Sequence, residues 1–170
     1  AYGRRTYNVT PSSGEPVRLG GAVTSSRFFD VLGVAPILGR AFSPSDGEPG
    51  RQVVVLSFGF WQRQFAGDPA VINQAIRLNG QPHTIVGVMP ATVNFPENSN
   101  FWVSTPFDVP GCGGPVTRDP SNDRGMHCLR GIARFTAQSS LAQANAELKT
   151  ISDQLAKLYP DEASNFVGIA

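Results

Sequence analysis

Between Ala75 and Val88 the chain reads AIRL, then Asn79-Gly80, then QPHTIVGV. Asn and Gly both tolerate the positive φ of a two-residue hairpin turn, so the run Ala75–Leu78 is predicted to fold back antiparallel on His83–Val88. Gln81-Pro82 leaves room for a longer loop. A hairpin written this locally rules out an all-helical bundle and requires a sheet, which the rest of the chain must extend and cover.

The flanking segments supply both strands and cover. Glu15–Thr24 predicts a strand, then a short helix Arg27–Leu32 capped by Ser25 or Ser26, ended by Gly33 and anchored by Phe28, Phe29 and Leu32. Pro36, Gly39, Pro44 and the SDGEPG run predict an irregular excursion before a buried β-branched strand, Gln52–Leu56. Ser57 is placed to cap a helix whose Phe58, Trp61 and Phe65 share one side, with Gly67 as its stop. Phe101–Thr105 predicts another strand, 109–123 a loop rich in Gly, Pro, Asp and Asn, and Met126–Phe135 a strand. The last helix has the clearest start. Ser140 and Gln143 form a capping box, and Leu141, Ala144, Leu148, Ile151, Leu155 and Leu158 make a stripe ending before Tyr159-Pro160. Interleaved strands and helices with a hairpin predict an α+β fold rather than a regular parallel sheet.

At 170 residues, 41% hydrophobic and 16% charged, the chain fits one domain or two small lobes. A formal charge of +1, with Arg and Lys scattered, makes no field to attract nucleic acid, and no nucleic-acid partner is expected. The longest apolar run, Val53–Leu56, is strand-sized against the roughly 20 residues of a spanning helix. With neither an initiating Met nor a signal segment, the chain reads as an excised piece whose membrane anchor lies outside it. Cys112 and Cys128 flank the 109–123 loop. A disulfide between them would contribute about 3 kcal/mol by closing a short loop and would favour an oxidising compartment; two free thiols are the competing reading.

Three segments in order, SSRFFDVLGVAPILGRAF, VVVLSFGFWQRQFAGDP and NGQPHTIVGVMP, followed by FWVSTPF, resemble the MacB-type periplasmic core domain of bacterial ABC transporter permeases. The likeness runs from about Tyr2 to Pro160. Its wording is similar to a branch of large bacterial ABC efflux permeases rather than to the macrolide exporter itself. The resemblance implies a two-lobed extracytoplasmic domain inserted between the first and second transmembrane helices. Residues 1–25 and 124–170 would form a porter-like βαβ lobe, truncated at its N-terminus, and residues 26–123 an inserted, mixed α/β, sabre-like lobe. It implies a noncatalytic part of an integral membrane protein on the periplasmic or extracellular side of a bacterial inner membrane, coupling transmembrane helix movement to substrate export or partner engagement. Implied partners are its own transmembrane helices, a second permease copy, an ATP-binding subunit or domain, and a periplasmic adaptor. No cofactor is implied here, ATP being held elsewhere.

The residues themselves offer little chemistry. Ser57 lacks the glycines of a nucleophile elbow and suits an N-cap. His83, His127, Cys112 and Asp123 lack zinc-ligand spacing, and His127 and Cys128, as strand neighbours, would point to opposite faces. No phosphate-binding G-x-x-x-x-G-K-[ST] occurs. No catalytic, cofactor or metal residue is therefore expected. Most aromatics belong to the core, while Phe60, Phe95 and Trp102 are candidates for a contact surface. Two functions from other classes compete. A free periplasmic ligand- or protein-binding module with a cleft between lobes is distinguished by whether spanning segments flank the chain in its gene. A hydrolase lacks a nucleophile and base.

Overall fold

The computed structural model describes residues 1–10, 15–48, 50–111 and 130–160. Its elements are β1 (Tyr2–Thr10), β2 (Val17–Thr24), α1 (Phe28–Leu32), β3 (Leu38–Gly39), β4 (Val53–Leu56), α2 (Phe58–Phe65), β5 (Ala75–Leu78), β6 (Gln81–Val88), β7 (Phe101–Ser104) and α3 (Leu141–Leu158). Short 3-10 turns lie at Pro44–Gly47, Pro69–Val71 and Pro106–Asp108.

The hairpin forms with its two-residue turn: Leu78 pairs with Gln81, and Asn79 and Gly80 take φ of 51° and 79°. Gln81-Pro82 does not lengthen the loop. Pro82 sits opposite Arg77, one pair beyond the turn, where the strands do not exchange hydrogen bonds, so its missing N–H interrupts no bond to β5. On its other side β6 pairs with β4 only from Thr84 onward.

The strands lie in the order β3-β6-β4-β7-β2-β1-β5, and β5 also pairs with β6. Every strand but β3 therefore belongs to a closed ring, and β3 adds to the side of β6. Pairs β2–β7 and β4–β6 are parallel, while the others are antiparallel. The mixed sheet agrees with the α+β expectation. Among the described residues, closure leaves no long edge to be blunted.

Alternation along the strands divides the core in two. Tyr7 and Val9, Val23, Val54 and Leu56, Ile76 and Leu78, Ile85 and Val88, and Phe101 and Val103 form one cluster, with Phe60 of α2 and Val71 added. It draws on every strand of the ring and so marks the inward face. Gly21, on that face, makes room for the Phe101 ring, because a Cβ there would stand 2.6 Å from the ring edge. The second cluster, Tyr2, Ala22, Val53, Val55, Val86 and Trp102, lies on the outward face under Phe28 and Phe29 of α1, with Phe42 and Met89. The register shift between Val54 and Val55 passes over Val86 of β6, so that Ile85 and Val88, three residues apart, both join the inward cluster while Val86 joins the outward one.

Several local expectations change. Neither Ser25 nor Ser26 caps α1; both are buried, the N-cap position is Arg27, and the Phe28 N–H reaches the Ser25 carbonyl 3.2 Å away. In α2 the fully buried side chain is Phe60, while Trp61 and Phe65 pack beside it from partly buried positions. Ser57 does cap α2, its Oγ accepting the Phe60 N–H at 3.2 Å. Strand β1 was not foreseen, although Tyr7 and Val9 alternate in it. Of the expected strand Met126–Phe135, the described part contributes a single bridge, Arg130 with Tyr2. The rest, like most of the 109–123 loop, lies outside the described residues.

By its contacts the chain separates into a unit ending at Ile132 and another beginning at Ala133. This differs from a division at 25/26 and 123/124, because β1 and β2 hydrogen-bond into the same sheet as the middle of the chain. The second unit carries α3, whose capping box is complete: Ser140 Oγ accepts the Gln143 N–H at 3.2 Å, and Gln143 Oε1 accepts the Ser140 N–H at 2.9 Å.

Candidate functional site

Of the aromatics expected at a contact surface, Phe60 and Trp102 are corrected by burial, being 1% and 0% exposed. Phe60 turns its ring into the inward cluster, 5.6 Å from Phe101. Trp102 sits in the outward cluster, 5.4 Å from Phe29, and its indole N–H donates to the Phe95 carbonyl at 3.0 Å. Both faces of β7 are covered, so alternation cannot bring either side of FWVS to solvent. Phe95 is half-buried, stacked 6.1 Å from Phe28 and edge-on to Tyr2 at 5.1 Å. Cys112 and Cys128 lie outside the described residues.

The polar surface is built instead around the segment 94–100, which α2, β1 and β2 hold from different sides. Arg63 donates to Asn100 Oδ1 at 2.8 Å, Asn100 Nδ2 donates to the Gly20 carbonyl at 3.0 Å, and Arg4 donates to the Glu97 carbonyl at 2.7 Å. The Ser57 N–H closes the frame on the Asn100 carbonyl at 2.9 Å. Between α2 and this segment lies a cleft of about 510 Å³, lined among others by Ser57, Gly59, Arg63, Asn94, Asn98 and Asn100. A smaller one of about 280 Å³, with Arg4, Arg5 and Glu97, shares Asn98 and Ser99. From sequence alone neither Arg63 nor the asparagines of NFPENSN are singled out. Their recurrence was the available signal.

A second pairing was also missed. Arg40 and Asp46 meet in a two-point ion pair at 2.6 and 3.0 Å, and Asp46 is 1% exposed. The same carboxylate accepts the Ser43 N–H at 2.7 Å and hydroxyl at 2.9 Å. Burial works against its charge, but the donors from Arg40 and Ser43 together outweigh it and hold Asp46 below the usual carboxylate range. This pins the 3-10 turn at Pro44–Gly47. Burial lowers the His83 imidazole, against a smaller opposing effect of its bond to the Gln81 carbonyl. Burial also pushes the Tyr7 hydroxyl up to about 12, a shift that Arg5 moderates.

Among the described residues no group of three or more His, Cys, Asp and Glu could hold a metal ion, and no helix is long and apolar enough to cross a membrane. The Ser57 hydroxyl is occupied by helix capping. The arrangement is suited to holding shape and to polar contact.

Comparison with known proteins agrees with this frame. The fold resembles the periplasmic region of MacB from Actinobacillus actinomycetemcomitans with a TM-score of 0.56 at 16% identity, over 94% of this chain and 65% of that one. It also resembles a permease-protein domain from Porphyromonas gingivalis, with a TM-score of 0.56 at 14% identity, over 91% and 69%. The extracellular domain of the noncanonic ABC-type transporter YknZ from Gram-positive bacteria matches at a TM-score of 0.47 and 18% identity, over 64% and 53%. The chain thus spans less than two thirds of the length of the MacB region. No curated protein matches. The description "MacB-like periplasmic core domain" matches residues 1–151, and the chain belongs to that family of ABC transporter permease domains.

Proposed function

We propose that this domain is a noncatalytic mechanical element of an ABC-type efflux permease. It passes transmembrane helix movement to substrate export or to partner engagement on the extracytoplasmic side of the membrane. The observation that carries this reading is the family match over residues 1–151. The closed ring supports it physically: strands hydrogen-bonded on both sides, with packed clusters on both faces, can transmit displacement without bending. ATP acts on a separate domain or subunit. The partners are the domain's own transmembrane helices, a second permease copy and a periplasmic adaptor. Within this assembly α3 serves the porter-like part, and Cys112 and Cys128 form a disulfide; mass spectrometry of the alkylated chain without reductant would show both cysteines unmodified, and two alkylated thiols would contradict the bridge.

The placement is tested with the full-length protein carrying Val17→Cys, an exposed position. In intact cells a membrane-impermeant maleimide should label this variant above the parent, and the protein should sediment with membranes. Labelling only after lysis would contradict the reading. A chain released with the soluble periplasmic fraction would favour a free binding module instead.

A further inference from the structure

The cleft between α2 and the segment 94–100 has a composition that latching the segment does not require. Its volume of about 510 Å³ lies within the ~300–1,000 Å³ of ordinary small-molecule sites. Among the described residues its lining is polar and one-signed: it contains Arg63 and the amides of Asn94, Asn98 and Asn100, and no carboxylate. Glu97, the acid of the segment, lines the neighbouring cleft with Arg4 and Arg5.

The hydrogen bonds show which groups are spent. Asn100 uses both ends of its amide, Oδ1 on Arg63 and Nδ2 on Gly20. Asn94 gives Oδ1 to the Asn98 N–H at 3.1 Å, which leaves its amide N–H groups as the end with donors to offer. Arg63 commits one nitrogen to Asn100, which fixes the guanidinium at the cleft and leaves further N–H donors in its planar fork. A positioned guanidinium with amide donors around it and, among the described residues, no competing anion matches two-oxygen acceptors, above all a carboxylate. The first turn of α2, at Ser57 and Gly59 in the same wall, adds the favourable end of a helix to the same sign of field. Phe58 lines the cleft too, adding apolar surface for the carbon part of a ligand.

We propose that this cleft binds a small organic carboxylate, with Arg63 as the charged anchor and Asn94 and Asn98 as flanking donors. The inference is independent of the mechanical role and stands or falls separately from it.

The test is a nitrogen-15 NMR titration of the 170-residue chain with two matched pairs of probes, trialanine against trialanine amide and glucuronate against glucose. The expected result is saturable shifts confined to Ser57–Arg63 and Asn94–Asn100 with at least one carboxylate member, and its neutral partner at least about tenfold weaker. Arg63→Gln should weaken that binding by about tenfold or more with the spectrum outside Ser57–Arg63 and Asn94–Asn100 unchanged, whereas Arg27→Gln, at an exposed arginine elsewhere, should not. Equal response to both members of each pair, an undiminished response in Arg63→Gln, shifts outside the cleft, or no saturable response to either carboxylate at millimolar concentration would each overturn the proposal.

Discussion

Asp46 shows how one buried carboxylate can organise a loop that the sequence presents only as turn residues. It holds four donors from Arg40 and Ser43, so Asp46→Ala removes four hydrogen bonds, leaves Arg40 with the Ala41 carbonyl and the Ser43 hydroxyl with Ser45 Oγ, and frees the 3-10 turn. Because Arg40 is half-exposed and can rehydrate, the expected loss is about 2 kcal/mol, read from the shift of a urea midpoint. An unchanged midpoint would show that the turn is held by packing alone. His83 gives a pH dependence of definite sign. Its folded-state imidazole titrates below the ordinary value, so at pH under about 6.5 the unfolded chain takes up a proton that the fold resists. Stability is full above that value and declines as pH falls through it, and His83→Gln should flatten this slope. A wild-type slope retained in the variant would place the titrating group elsewhere.

At the scale of elements, what could be read in advance was what neighbouring residues determine. The Asn79-Gly80 turn, the Ser57 cap and the Ser140–Gln143 box are each written within four residues, and each stands as read. The hairpin can be probed directly: Gly80→Ala meets no atom within 4 Å yet must hold φ near 79°. The expected cost is about 1 kcal/mol from backbone conformation alone, again by urea unfolding, and a stabilised variant would contradict the turn assignment. Misreadings came where distant segments decide. Phe60 rather than Phe58 is buried because α2 lies against a cluster assembled from strands far apart in sequence, by the pairing of β1 with β5 and of β2 with β7, where Ala22 meets Trp102. Strand β1 hid behind its arginines, since its inward Tyr7 and Val9 gain meaning only once a ring exists to receive them. The cleft was illegible for a related reason. Asparagines in a Pro-containing segment have many uses, and only the fold brings Arg63, Asn100 and Gly20 together.

For the whole molecule, the family could be recognised from motifs, whereas ring closure and the placement of β1 and β2 within one sheet could not. Pairing between strands far apart in sequence leaves no local signature. The central claim is that the ring moves as one body during the transport cycle. Spin labels at the exposed positions Val17 and Ile37 test it most directly in the full-length permease, by distance measurement with and without bound ATP. The distance between Val17 and Ile37 within a copy should stay fixed, while the Ile37-to-Ile37 distance between copies should change with nucleotide. A within-copy distance that shifts, or a between-copy distance indifferent to ATP, would contradict the account.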